Sequence, residues 1–333
     1  MRSCLLLVLC LSTAFPAAAA MVSERLFWTD QTRRGVFRSA VDGSGASEIV
    51  DTGGAPSGIA ANNLFLYWAN GQSLFRADLD GSGAKEIVDL VAVFGTGPYG
   101  TGSWAPRGVT LADTFVYWVD SEQEGLFRAR LDGSVPTRLL DFTTDLGLMA
   151  PDYDAVGLAS SDTFLYWTDV SADVIVRAEL DGANPTVLVT GSTSDAFTGI
   201  AVNDTHLFWV DALDGVFRSD LEGGNPVEII DRSAFFGPPV LREITLDAKT
   251  LYVTVDGVSG SSAEGLFSAD LSGGGLTQLI NLHSAFPAAA GSGPRGVALG
   301  VTPPAVPALG GWGLGALAAA LIYAARRVQT RAT

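Results

Sequence analysis

The chain has 333 residues, 47% of them hydrophobic and 17% charged, with 39 glycines and a net charge of −16. That apolar content supplies a large core and excludes intrinsic disorder, while the acidic balance excludes a phosphate-tracking nucleic-acid binder. The only cysteines, Cys4 and Cys10, fall in the first ten residues and the only histidines are His206 and His283, so no disulfide, thiolate site or multi-histidine metal centre is expected in the body, and no cofactor.

Residues 1–20 read as a signal peptide: a basic start at Arg2, an apolar run from Cys4 to Phe15, and small residues Ala17 to Ala20. The expected result is an exported chain beginning near Met21. Initiation at Met21 would leave the same body without export.

From residue 21 to 300 one unit is written six times. Its first element is Leu26-Phe27-Trp28-Thr29-Asp30, then Leu66-Tyr67-Trp68-Ala69-Asn70, Val116-Tyr117-Trp118-Val119-Asp120, Leu165-Tyr166-Trp167-Thr168-Asp169, Leu207-Phe208-Trp209-Val210-Asp211 and, without the Trp, Leu251-Tyr252-Val253-Thr254-Val255-Asp256. A repeat of about 45 residues suits a four-stranded propeller blade. The second element alternates apolar with polar residues and ends in Asp-Gly, as in Leu74-Phe75-Arg76-Ala77-Asp78-Leu79-Asp80-Gly81. That is a half-buried strand closed by a hairpin turn. A short outer strand follows, such as Glu48-Ile49-Val50. The fourth strand, small and apolar as at Gly58-Ile59-Ala60, precedes every first element except the one at Leu26, and its missing copy lies at Gly296-Val297-Ala298. That circular offset predicts an all-β, six-bladed ring closed by the C-terminal inner strand.

With those residues in view, the body resembles the YWTD β-propeller of the low-density lipoprotein receptor class and bacterial secreted relatives. The resemblance implies a ring used for binding and brings no catalytic residues. Departures are Asn70, Phe27, Phe208 and the sixth copy, where Val253 replaces Trp and Asp256 stands one place late.

The repeated Asp30, Asp120, Asp169 and Asp211 read as structural, like the repeated Trp28, Trp68, Trp118, Trp167 and Trp209, because blade symmetry spreads them too far apart to converge on a metal. The second-element arginines, Arg38, Arg76, Arg128, Arg177 and Arg218, are expected to be their in-blade partners. The Asp-Gly-rich turns imitate calcium and phosphate loops but lack the downstream ligands of either.

The outer-to-inner connections are unequally expanded and share one face. They carry Tyr99, Trp104, Tyr153, Phe235, Phe236, His283 and Phe286, either as a peptide- or glycan-binding surface or as caps folded back on the blades. Arg107, Arg242 and Arg295 stand one place before inner strands and are predicted to reach the mouth of the central channel on that face. There they either form an anion site or pair with neighbouring acids. The functional expectation is a non-catalytic propeller binding a protein, peptide or glycan through the looped face. The alternatives are a metal-dependent lactonase- or hydrolase-like propeller, disfavoured by cations where a metal needs oxygens, and a ligand-free structural envelope protein.

After a linker, 301–305, residues 306–333 combine Pro307, Trp312, an uncharged stretch long enough to span a bilayer, and Arg326-Arg327. This order resembles bacterial exosortase- or rhombosortase-type sorting tails of the Ile-Pro-Thr-Leu kind. The resemblance implies a membrane helix, a sorting transpeptidase as partner, and a propeller outside the inner membrane, anchored there or sorted to the cell surface. Between the two end segments the charge is more acidic still, with 16 basic and 36 acidic groups.

Overall fold

A computed structural model describes residues 23–95, 103–147, 153–192, 196–235, 239–257, 264–287 and 293–302. Glu24–Thr302 form one compact unit. The segments read as a signal peptide and a sorting tail, with Pro307, Trp312, Arg326 and Arg327, lie outside the described residues, and among those described no helix is long and apolar enough to cross a membrane.

The described residues build six four-stranded antiparallel sheets. Along the chain the first three strands are β1 (Ser23–Asp30), β2 (Gly35–Ala40) and β3 (Ser47–Asp51), followed by β4 (Pro56–Ala61), β5 (Phe65–Asn70), β6 (Ser73–Asp78) and β7 (Lys85–Asp89) as blade 2. Blade 3 holds β8 (Pro106–Ala112), β9 (Phe115–Asp120), β10 (Gly125–Arg130) and β11 (Thr137–Asp141); blade 4 holds β12 (Ala155–Ser160), β13 (Phe164–Asp169), β14 (Val174–Glu179) and β15 (Thr186–Thr190). Blade 5 is β16 (Phe197–Val202), β17 (His206–Asp211), β18 (Gly215–Asp220) and β19 (Val227–Asp231), and blade 6 is β20 (Val240–Leu246), β21 (Thr250–Asp256), β22 (Gly265–Asp270) and β23 (Thr277–Asn281). The last strand, β24 (Pro294–Thr302), pairs with β1 and completes blade 1. The six inner strands, β24, β4, β8, β12, β16 and β20, each touch the next, and β20 touches β24 again. The ring is closed, with no sheet edge left at the seam.

Side-chain alternation builds the core between blades. Each repeated Trp is fully buried and lies opposite a second-element residue in the ladder, Trp28 opposite Phe37 and Trp167 opposite Val176. In blades 1, 2, 3 and 5 that residue is a Phe stacked on the indole, at 5.5 Å between centroids for Trp28 and Phe37 and 5.7 Å for Trp209 and Phe217. Blade 4 has Val176 there instead, and Phe142 of the preceding connection stacks on Trp167 at 5.4 Å and 13°. Blade 6 lacks the Trp. Val253 occupies its register position, opposite Ile244 and Phe267, and Phe235 from the connection fills the volume edge-on to Phe267 at 5.2 Å. Each vacancy in the repeat is thus filled by a side chain from the preceding loop, as close packing demands.

Blades are joined by polar stitches at both ends. On the looped face the Thr29 hydroxyl donates to Ser57 O, Ser57 Oγ to Pro106 O at 2.7 Å, Thr168 Oγ1 to Thr198 O at 2.5 Å, and Thr198 Oγ1 to Leu241 O. On the opposite face the second-element arginines reach the next blade: Arg76 donates to Leu131 O, Arg128 to Leu180 O, Arg177 to Leu221 O and Arg218 to Leu271 O. This corrects the expected pairing of these arginines with the repeated aspartates. The antiparallel register sets Arg76 opposite Tyr67, while the aspartate-position residue Asn70 lies opposite Ser73 at the other end of the strand. Arg76, Arg128 and Arg177 also lie over the rings of Phe65, Phe115 and Phe164, about one ring thickness away at 4.3–4.6 Å. Blade 6 has Ser268 in this place and sends no such arginine to blade 1.

Candidate functional site

The repeated aspartates come first, because they set the geometry of the looped face. Asp120 Oδ1 accepts from the backbone N–H of Glu122 and Gln123, and its Oδ2 accepts from Ala105 N at 3.0 Å. Asp211 makes the corresponding bonds to Leu213, Asp214 and Ala196. Asp169 takes Asp154 N and Ala172 N, and Asp30 takes Thr32 N and Arg33 N. At Asp120, Asp169 and Asp211 one carboxylate therefore ties the turn after its strand to the chain entering the inner strand. Burial pushes Asp120 and Asp169 up to about 6 in spite of these donors. Asp256 occupies the same place because β21 is one residue longer; it accepts from Gly293 N and from Arg242.

The connection residues behave mainly as caps. Trp104 is buried, donates Nε1 to Gly95 O at 3.1 Å and packs on Phe94 and Phe127. Tyr153 is buried against Phe142, Phe235 lies in the blade 5–6 core, and Phe286 sits edge-on to Phe37 at 4.9 Å. Trp104, Tyr153 and Phe235 are buried and Phe286 is half-buried against the core, so the capping alternative describes these four. His283 is exposed on a short helix, α1 (Leu282–Ala285), at the rim. Tyr99 and Phe236 fall outside the described residues.

The three arginines do converge. Arg107, Arg242 and Arg295 line one cavity of about 330 Å³ at the channel mouth, together with Gln31, Ser57, Val156, Thr198 and Leu213. Each is half-buried. They are held differently. Arg242 donates Nη2 and Nε to Asp256 Oδ2, at 2.8 and 3.3 Å. Arg295 donates Nε to Gln31 Oε1 at 3.0 Å and only approaches Asp256, at 3.8 Å. Arg107 donates Nε to Ser121 Oγ at 3.3 Å, and among the described residues no carboxylate pairs with it. Burial lowers the Arg295 pKa, the positive charge of Arg242 adds to that, and Arg107 adds again, against the pull of Asp256 and Asp30. The three guanidinium groups are thus close enough to repel one another.

The floor of the cavity is Glu243, the one departure from glycine at its place in the repeat. Five inner strands place Gly58, Gly108, Gly157, Gly199 and Gly296 at this position, each with its Cα against the neighbouring inner strand; the sixth places Glu243. Its Oε1 accepts from Ile200 N and Ile244 N, bridging blades 5 and 6. It borders both the mouth and the lower channel of about 260 Å³, so its contact with solvent runs along the channel. Burial outweighs the two backbone donors and pushes its pKa up from 4.5 to about 8. An acid whose folded pKa is raised stabilises the fold while protonated; that contribution is whole below the unfolded value and is lost as pH rises through the folded one. Glu243→Gln is expected to flatten the fall in Tm between about pH 5 and 9 and to leave the variant more stable than wild type at pH 9. Melting curves across that range check it, and parallel pH slopes for the two proteins would remove Glu243 as the source.

No protein-family model matches the chain, and no curated protein sequence does. A chain in the crystal structure of a nidogen/laminin complex aligns with it at a TM-score of 0.63 and 19% identity, over 83% of this chain and 98% of that one. This likeness extends over nearly the whole of the matched chain, and what it shows is the fold: a six-bladed β-propeller.

Proposed function

We propose that the protein is a non-catalytic propeller, exported and held at the cell envelope by its C-terminal segment, that binds a partner protein through the looped face, with the channel mouth as the anchoring point. The observation that carries this reading is the cationic mouth itself, three guanidinium groups around one cavity in a chain of net charge −16. Guanidinium forks suit carboxylates on a partner, and desolvated Arg contacts dominate binding energies where they occur. The six positions before the inner-strand glycine place are Ser57, Arg107, Val156, Thr198, Arg242 and Arg295. They offer cations where a metal-dependent hydrolase needs converging oxygens. The aligned nidogen/laminin chain comes from a protein–protein complex, which fits a binding role.

The test compares wild type with Arg107→Gln/Arg295→Gln, both full length, in crosslinked capture from the envelope fraction of the native host. A partner retained by wild type and reduced at least tenfold by the variant supports the reading; equal capture by both overturns it. N-terminal sequencing of the envelope-associated protein addresses export. A mature chain beginning near Met21 is expected, and a chain retaining Met1 in the cytosolic fraction would refute that part.

A further inference from the structure

The mouth is chemically two-sided. Around the ring from blade 6 through blades 1 and 2 to blade 3 it presents Arg242, Arg295, Ser57 and Arg107 with Val240 among them, while blades 4 and 5 present mainly Val156, Val170, Ala212 and Leu213, beside Asp154 and Thr198. Leu213 is 48% exposed, a large apolar surface left uncovered at the edge of a charged cavity. On the polar side the arginines have separate tasks. Arg242 is spent on Asp256. Arg107 and Arg295 are each oriented through Nε, by the Ser121 hydroxyl and the Gln31 carbonyl; among the described residues nothing pairs with the terminal nitrogens of Arg107, and Arg295 Nη2 meets only the Asp256 carboxylate, at 3.8 Å and without a hydrogen bond. Two pre-oriented guanidinium groups with terminal nitrogens available are the arrangement that grips a carboxylate in bidentate fashion, at little further cost in side-chain entropy. The same cavity carries Asp154 on the apolar side, which repels a second anionic group there, and Glu243 closes the bottom. A volume of about 330 Å³ lies at the small end of ligand pockets.

Resting on the mouth as the binding site, we propose that it takes an aliphatic carboxylate: one anionic end on Arg107 and Arg295, and one branched alkyl group against Val156, Val170 and Leu213. That chemistry has two sources, a free branched-chain carboxylic acid and the C-terminus of a protein ending in an aliphatic residue. Dianions and peptides lacking a carboxylate fit poorly.

Calorimetric titration of the full-length protein tests this with 4-methylpentanoate, acetate, succinate, inorganic phosphate, and the peptide acetyl-Gly-Gly-Leu as free acid and as amide. Expected are saturable binding of 4-methylpentanoate, of the peptide acid, or of both, at least tenfold tighter than acetate, succinate, phosphate or the amide. Tightest binding by the peptide acid identifies a chain end as the source, and by 4-methylpentanoate alone a free acid. Arg107→Gln should abolish the binding, and Leu213→Ser, at an exposed position that leaves the fold intact, should bring 4-methylpentanoate down to the level of acetate. Phosphate or acetate binding as well as 4-methylpentanoate, or amide binding as well as acid, would overturn the proposal. Absence of binding by every probe would overturn it as well. Loss of the captured partner in Arg107→Gln/Arg295→Gln would then still uphold the protein-binding reading, and equal capture would sink both.

Discussion

Replacing Arg33 with glutamine is expected to cost about 3–5 kcal/mol of folding free energy, the range for removing one partner of a buried ion pair. Arg33 leaves the β1–β2 turn of blade 1, donates Nη1 to Asp30 Oδ2 at 2.6 Å and to Glu264 Oε1 at 2.5 Å, and donates Nη2 to Leu282 O at 3.3 Å. The three side chains are 6%, 0% and 4% exposed. Burial lowers the Arg33 pKa, but the hydrogen bonds and charges of Glu264 and Asp30 outweigh it and raise it overall. Glu264 and Leu282 belong to blade 6, so this cation spans the seam where the ring closes. Glutamine keeps much of the volume and leaves two carboxylates buried without their counter-charge. Urea melts at neutral pH measure the loss, and Arg33→Gln/Glu264→Gln should recover part of it, since the second change removes one stranded charge. A loss below about 1 kcal/mol would mean that the seam is held elsewhere.

Gly273→Ala is the second large effect. Gly273 has a φ of +87°, and a Cβ there would lie 1.9 Å from Ile229 O, backbone of the preceding blade's outer strand. The left-handed conformation alone costs an L-residue about 1–2 kcal/mol, and the backbone clash forces the two blades apart, for an expected total above about 3 kcal/mol. Gly275→Ala is the control. It shares the left-handed backbone, at a φ of +67°, with nothing within 4 Å, so only the conformational part, about 1–2 kcal/mol, should appear. Equal losses at the two positions would show that the turn does not dock on the neighbouring blade.

The same comparison shows what a repeat discloses and what it conceals. Strands, turns and the circular offset are legible because each obeys a local rule: alternation of two, Asp-Gly at a hairpin, and one inner strand out of place. The arginine mouth is legible by counting back from the inner-strand glycines. The repeated arginines mislead, since composition pairs them with the repeated first-element acid while the antiparallel register sets Arg76, Arg128 and Arg177 opposite Tyr67, Tyr117 and Tyr166. The loop aromatics are ambiguous for a different reason: nothing local tells which way Trp104 or Phe235 points. A signal was nevertheless present, because Val176 and Val253 stand where the repeat has Phe and Trp, and a missing ring volume must be supplied from somewhere. Glu243 was visible as the one charged residue in a row of glycines. Its meaning needed the fold, since only the ring shows that this row lines a channel.

The union of β24 with β1 carries a consequence for how the molecule comes to exist. Gly296 N donates to Thr29 Oγ1 across 267 residues of chain. Every other inner strand finds its partner within a single connection. During synthesis blade 1 therefore waits, incomplete and with an open edge, until residues 294–302 have been made. Arrival of the final strand acts as a proof of length: a chain cut short anywhere before residue 294 keeps an unpaired edge, and to a protease or to a second copy that edge marks it as unfinished.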